Sequence, residues 1–461
     1  MKNRKLMKSI ISGLKGVALA AIVVGVVAVP GQARQRRGQG QLDPERKMGL
    51  IWPQGMEEFA FPTLPAGGWN TLGTFGARSA AMGETFLSGQ SPAAGILNPG
   101  FLTGLSGPEL SLSYRYTAHS YETLPGFALS NLTVLQESAP SSFKRQIGYP
   151  DGVGLAFPLG AWSFSAGYFL FQEYNIPDAS APFFSMPNKV KQSGEMRGIN
   201  LALANSITDA FSVGISASYL YGRISRFEVS PIYTILGELP AGSLLADLRK
   251  LVLNLLFQGP VRAEDMDMDL SGFFVNLGAT YRWRNNMLVG FSLRAPFILG
   301  LEVGATRSFP GSRWPEERFS AKAKLDQPLV ATASLLYLPT PSFTLAADLS
   351  YWAWKGCRSE DNFRWMYPAG FENILKLNLG AEYAVPLPSR IIRSLALRAG
   401  YIHDPQPYPI SEGFSRDFAT AGFGLKIGPC IFDAAAKIQL FDLDPGRFHT
   451  NIFSVGLSYE F

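Results

Sequence analysis

The chain ends in a strict two-residue repeat. In the last nine residues, FSVGLSYEF, Phe453, Val455, Leu457, Tyr459 and Phe461 alternate with Ser454, Gly456, Ser458 and Glu460. Successive side chains of a strand point to opposite faces, so one face of this segment is apolar and the other is small or polar. The same alternation recurs from Pro108 onward. It runs over 110–116, 153–159, 162–170, 199–203, 211–221, 273–283 and 287–293, then in seven later runs centred on Ala333, Ala347, Leu379, Leu397, Phe423, Ala436 and Val455. The spacing predicts an all-β, antiparallel transmembrane barrel of about fourteen strands over residues 108–461, with apolar residues toward lipid and polar ones toward the lumen.

The connections support this. Short turns such as 159–162, 208–210, 284–286, 339–341 and 427–430 alternate with long stretches near 118–150, 175–193, 227–264, 304–318, 355–371 and 404–416. Short turns at one end and long loops at the other characterise a membrane barrel. A propeller would need a blade repeat, and none is present. Only 17% of the 461 residues are charged, against about 25% in a soluble domain.

Residues 1–33 read as a secretory signal peptide, with a basic start, an apolar run from Val17 to Val29, and small Gly31 and Ala33 at the cleavage spacing. The competing reading is an uncleaved anchor, although the run is shorter than the ~20 residues a spanning helix needs. Residues 34–66 form a polar extension. Residues 67–107, rich in Gly, Ala and Ser, are too long for an ordinary loop and are expected to fold inside the barrel as a hatch. Export then places the barrel in the outer membrane. The formal charge of +5 lies mostly near the N-terminus and is no nucleic-acid footprint.

Conventional chemistry is missing. Cys357 and Cys430 are expected at opposite ends of the barrel, too far apart to bridge. His119, His403 and His449 lack metal-ligand spacing and are read as solvated loop residues. There is no nucleophile elbow, Walker loop or dinucleotide fingerprint, so no enzyme, catalytic residue, metal or cofactor is expected. The informative polar residues face the lumen. They include Arg294, Asp348, Lys376, Glu382, Arg398, Asp433 and Lys437. Either Asp348 and Glu382 pair with Arg294, Lys376 or Arg398 to hold wall and hatch together, or a basic residue receives an anionic head group. One amphipathic helix is expected at 243–257, where Leu244, Leu245, Leu248, Leu251, Val252, Leu255 and Leu256 recur at helical spacing. It would either pack on the barrel rim or form a greasy landing groove.

Several stretches resemble the FadL-type transporters of hydrophobic compounds in Gram-negative outer membranes. FGARSAAMGETFLSGQSPAAGILNPG (75–100) is similar to the family's plug, whose Asn-Pro-Ala ending is matched by Asn98 and Pro99 and departed from at Gly100. GFFVNLGATYRWRNNMLVGFSLRAP (272–296), LAADLSYWAWKG (345–356), LGAEY (379–383), LRAGY (397–401) and the final GLSYEF follow in the family's order. The resemblance implies passive uptake of a hydrophobic molecule such as a long-chain fatty acid, capture at Leu244–Phe257, and a head-group contact at Arg294 or Arg398. It further implies gating by the hatch around Asn98, Pro99 and Gly100, and sideways release through the wall. Outer-membrane lipid and lipopolysaccharide would surround it. The alternative function is a barrel partner or shuttle in a type IX-like secretion complex, with partner proteins in place of a small molecule.

Overall fold

The computed structural model describes residues 76–87, 91–122, 142–183, 186–231, 261–310, 315–358, 371–389, 391–407, 415–440 and 447–461. The amphipathic segment 243–257, residues 1–75 and the signal-peptide cleavage region lie outside the described residues.

Fourteen wall strands form one antiparallel sheet. They are β1 (Glu109–Glu122), β2 (Ser142–Leu159), β3 (Trp162–Glu173 and Ile176–Phe183), β4 (Met186–Ser206), β5 (Phe211–Pro231), β6 (Val261–Arg284) and β7 (Met287–Arg294 and Phe297–Ser308). Then follow β8 (Glu317–Gln327 and Val330–Thr340), β9 (Phe343–Trp352), β10 (Ile374–Pro386), β11 (Ile392–Pro405), β12 (Ser415–Ile427), β13 (Cys430–Gln439) and β14 (Arg447–Glu460). Three strands are broken once each; β7 keeps both neighbours across its break, whereas among the described residues Ile176–Phe183 pairs only with β4 and Glu317–Gln327 only with β7. β14 pairs with β1 from Glu460↔Glu109 to Arg447↔Glu122, which closes the cylinder.

The alternation holds through the wall, and its chemistry changes with height. On β6 the outward residues rise from Trp283 (64% exposed) through Tyr281 and Leu277 to Phe273 (55%). Ten residues of strand at about 3.3 Å each, tilted about 40°, span about 25 Å, the height of a barrel's lipid-facing band. Above Phe273 the outward residues become Ser271, Asp269, Asp267 and Asp265. The inward residues change oppositely: Thr280 and Asn276 below, then Phe274, Leu270, Met268 and Met266 above, all buried. The lower barrel is thus polar inside and greasy outside. Along β6 from Phe274 to Met266 the upper barrel, beyond the membrane, is greasy inside and polar outside.

This inversion explains where the strand lengths were underestimated from sequence. Segments near 175–193, 227–264 and 304–318, expected as loops, are in large part strand: β3 resumes at Ile176, β5 reaches Pro231, β6 begins at Val261 and β7 runs to Ser308. On β6 the outward face of the added length, at Asp265, Asp267 and Asp269, carries charge because it stands in water.

Two short helices, α1 (Ala77–Ala81) and α2 (Ala94–Leu97), and a 3-10 turn (Pro99–Gly104) lie against the lumen side of the wall. Asn276 donates to the carbonyls of Ile96 and Leu97 at 2.9 Å each, and Ser292 to Leu97 at 2.7 Å. On the opposite side Thr420 donates to the Ala81 carbonyl (2.9 Å), and the Phe86 amide donates to Asp348 (2.5 Å). The lumen polar residues therefore satisfy the backbone of irregular chain at membrane depth, which would otherwise carry unpaired groups.

Candidate binding site in the lumen

Arg294 sits where the two halves of the lumen meet. It is the last inward residue of β7 before the break at Ala295-Pro296, which faces a matching break at Pro328-Leu329 of β8. Proline supplies no ladder N–H, so the two prolines release both strands at one height. Arg294 is only 4% exposed. Its guanidinium carbon lies 4.9 Å from the ring centre of Trp352, 5.7 Å from those of Phe274 and Phe297, and 6.0 Å from that of Phe171. Nε and Nη1 have no acceptor among the described residues. A small cavity of about 10 Å³, close to the room one water needs, touches Arg294, Asn276, Ser292 and Thr332 on the wall and Phe86, Ile96 and Leu97 of the N-terminal segment. Above it rise Leu299, Leu301, Val303, Met268 and Ile224 in one buried apolar cluster with the aromatic rings.

A buried cation is costly unless paired. Four rings, at about 0.5–2 kcal/mol each, offset part of that cost and supply no hydrogen-bond acceptor. The arrangement is therefore chemically incomplete in one respect: it has donors, an apolar surround, and beside them room for about one water but no acceptor among the described residues.

The charges around α1 are paired. Arg398 lies between Glu382 (2.5 Å) and Asp433 (2.6 Å). Glu382 also takes Arg78 of α1 at 2.9 Å. Glu84, the only non-glycine residue with positive φ among the described residues (59°), is tied to Lys437 at 2.6 Å and lies 3.8 Å from Lys376. Of the pairs considered from sequence, Glu382 with Arg398 forms. Asp348 instead accepts a backbone amide, and Arg294 has no carboxylate partner among the described residues. The lower ion pairs bind the N-terminal segment to β10 and β13, and Arg398 of β11 joins those two strands.

Asn98, Pro99 and Gly100 fit a slot of wall glycines. The Asn98 side chain accepts from Gly100 N (3.1 Å) and donates to the carbonyls of Ala279 (3.4 Å) and Phe291 (3.3 Å). A Cβ on Gly278 would fall 2.2 Å from Asn98 Oδ1 and 2.7 Å from Pro99 Cδ; one on Gly214 would fall 2.5 Å from the Pro99 carbonyl carbon.

The reading of His119 as a solvated loop residue is corrected. It is buried in β1, with Nδ1 3.0 Å from Thr450 Oγ1 and Nε2 3.3 Å from Glu173. The order Thr–His–Glu looks hydrolytic, but Thr450 is fully buried and its hydroxyl accepts Arg416 at 3.0 Å. A nucleophile needs an approach for its substrate, and this hydroxyl has none. The group ties strands together. Sequence gave no warning, because the three partners come from strands far apart in the chain. Both cysteines are free thiols, and the described residues contain no group of three potential metal ligands.

No family model and no curated protein matches the chain in sequence. Solved structures do. The toluene transporter TodX of Pseudomonas putida superposes with a TM-score of 0.61 at 16% identity, over 85% of this chain and 99% of that one. The chain folds as a FadL-type barrel. The Ralstonia pickettii toluene transporter TbuX gives 0.59 at 16% identity over 85% and 99%. A Pseudomonas aeruginosa FadL homologue gives 0.59 at 16% over 86% and 100%. In this FadL-type barrel the upper apolar lumen, Arg294 and the glycine slot for Asn98–Gly100 are properties of the chain's own residues.

Proposed function

We propose that the protein is an outer-membrane channel for passive uptake of hydrophobic compounds, and that its preferred cargo is an apolar chain or ring system carrying one anionic group. The observation behind this reading is the acceptor-free Arg294 at the floor of a greasy shaft. Moving apolar groups from water into that shaft is favourable by about 25 cal/mol per Å², so no energy source is needed for capture. The channels of like fold whose names state a cargo carry toluene or monoaromatic hydrocarbons, which fits an apolar route. The orphan guanidinium adds a taste for a carboxylate.

The chain's N-terminal segment acts as the gate in this reading. Leu97 lines the same cavity as Arg294, and Asn98 follows it into the glycine slot. A head group arriving at Arg294 would press on the segment that blocks the lumen. Outside, the polar upper wall would stand among lipopolysaccharide sugars while the lower belt meets lipid.

Leucines 244, 245, 248, 251, 255 and 256, with Val252, would supply the capture surface. Leu248→Asp with Leu251→Asp is then expected to cut uptake of a fluorescent long-chain carboxylate several-fold in cells displaying folded, heat-modifiable barrel. Uptake equal to the parent would remove these leucines from the pathway. Uptake no greater than in cells lacking the protein would remove the channel reading itself.

A further inference from the structure

The lipid-facing side of the wall carries a trough along β8. Its outward residues there are Ala331 and Ala333, each ending in a methyl group. Leu293 and Phe291 of β7 stand beside them on one flank, and Tyr351 and Leu349 of β9 on the other. Phe291, Leu349 and Tyr351 are exposed and rise as walls over the alanine floor. The walls are two strand spacings apart, about 10 Å.

Cations crown the upper end of this trough. Ile298 is the last apolar outward residue of β7 and lies opposite Asp326 of β8. One outward step higher, Ser271, Gly300 and Lys324 form a row across β6, β7 and β8. Ser271 is the first outward residue of β6 above the lipid-facing band, so Lys324 stands at the band's upper edge. Arg358 is fastened beside it. Its amide donates to Asp326 Oδ2 at 3.1 Å, and the Asp326 amide donates to its carbonyl at 3.0 Å. The preceding turn is closed by Cys357 N on the Trp354 carbonyl at 3.0 Å. Its third residue, Gly356, has the positive φ (96°) that such a turn requires. Buried Trp354 pins the turn and leaves Lys355 exposed.

Lys322 pairs with Glu302, and Arg318 with Glu316 at 2.9 Å. Lys324, Lys355 and Arg358 are exposed and have no ion pair among the described residues. Three such cations above an apolar trough complement an amphiphile with phosphates at its head and alkyl chains below. The end of a barrel that carries the long connections is external, and the lipid of that leaflet is lipopolysaccharide.

We propose that the β7–β9 flank seats one lipopolysaccharide molecule, its glucosamine phosphates on Lys324, Lys355 and Arg358 and one acyl chain along Ala331 and Ala333. The planar fork of Arg358 suits a phosphate. The seat depends on the outer-membrane placement and is independent of the cargo.

The test uses the full-length chain, purified free of lipopolysaccharide in dodecyl maltoside, with native mass spectrometry counting bound molecules. The parent is expected to retain one molecule of bisphosphorylated lipid A. Lys324→Gln combined with Lys355→Gln and Arg358→Gln should weaken that binding about 100-fold, from the attraction of three cations to an anionic lipid surface. Ala333→Phe fills the trough and should weaken it several-fold with the cations in place. Lipid A stripped of its phosphates should bind the parent no better than intact lipid A binds the triple variant. Equal affinity of parent and heat-modifiable triple variant overturns the phosphate seat. Unchanged binding in Ala333→Phe overturns the acyl trough. Displacement of lipid A by an equal concentration of phosphatidylglycerol or inorganic phosphate reveals a general anion surface and overturns the proposal.

Discussion

Arg294→Gln is expected to weaken binding of a long-chain carboxylate by about 10- to 100-fold, while leaving the alcohol of equal chain length within about two-fold. The size follows from the bond type: a hydrogen bond to a charged group contributes about 1.5–3 kcal/mol, and each 1.4 kcal/mol is ten-fold in affinity. The alcohol shares the greasy contacts with Leu299, Leu301 and the ring box but has no charge for the guanidinium. The same variant should raise the thermal midpoint of the ligand-free barrel, because it removes a buried cation with no carboxylate partner. Glutamine is shorter and neutral, and it can still meet Asn276 or Ser292. A functional group held at a cost to stability predicts these opposite signs. Isothermal titration in detergent with palmitate and hexadecanol, with a melting curve of each form, decides the matter. Equal loss of both ligands, or a lowered midpoint with palmitate binding intact, would assign Arg294 a structural role.

Gly278→Val is expected to dislodge the Asn98–Gly100 turn and leave the barrel wall intact. Its Cβ would overlap Asn98 Oδ1 at 2.2 Å and Pro99 N at 2.8 Å, closer than real contacts allow. The wall cannot yield, since β6 is paired on both sides along its length. The turn must yield, at about 1–3 kcal/mol for overpacking plus the lost Asn98 bonds to Ala279 and Phe291. Cells carrying the variant should become at least four-fold more sensitive to a bulky antibiotic normally kept out, and backbone amides 96–101 should lose hydrogen-exchange protection. Gly304→Val is the control, because nothing lies within 4 Å of the Cβ it would add. Sensitivity and protection unchanged in Gly278→Val would show that the turn does not hold the lumen closed.

The class of this molecule was legible in its residues. Outward residues such as Phe453, Leu457, Phe273 and Trp283 and inward ones such as Ser454, Asn276 and Thr280 alternate visibly, and a period of two has few structural meanings. Arg294 could also be marked as an inward arginine. Its lack of a partner could not, because that depends on which carboxylates the cylinder brings near: Asp348 turns to the Phe86 amide, and Glu382 and Asp433 turn to Arg398.

The sequence by itself determined that this chain closes into a lipid-facing cylinder, because alternation is a local property set by the backbone's own geometry. Tertiary structure decided the rest. It set the height at which polarity inverts, the aligned breaks at Pro296 and Pro328, and the aromatic box around Arg294. Each depends on how far one strand is displaced along the next, a quantity that many weak pairings around the barrel fix jointly and that no single segment carries.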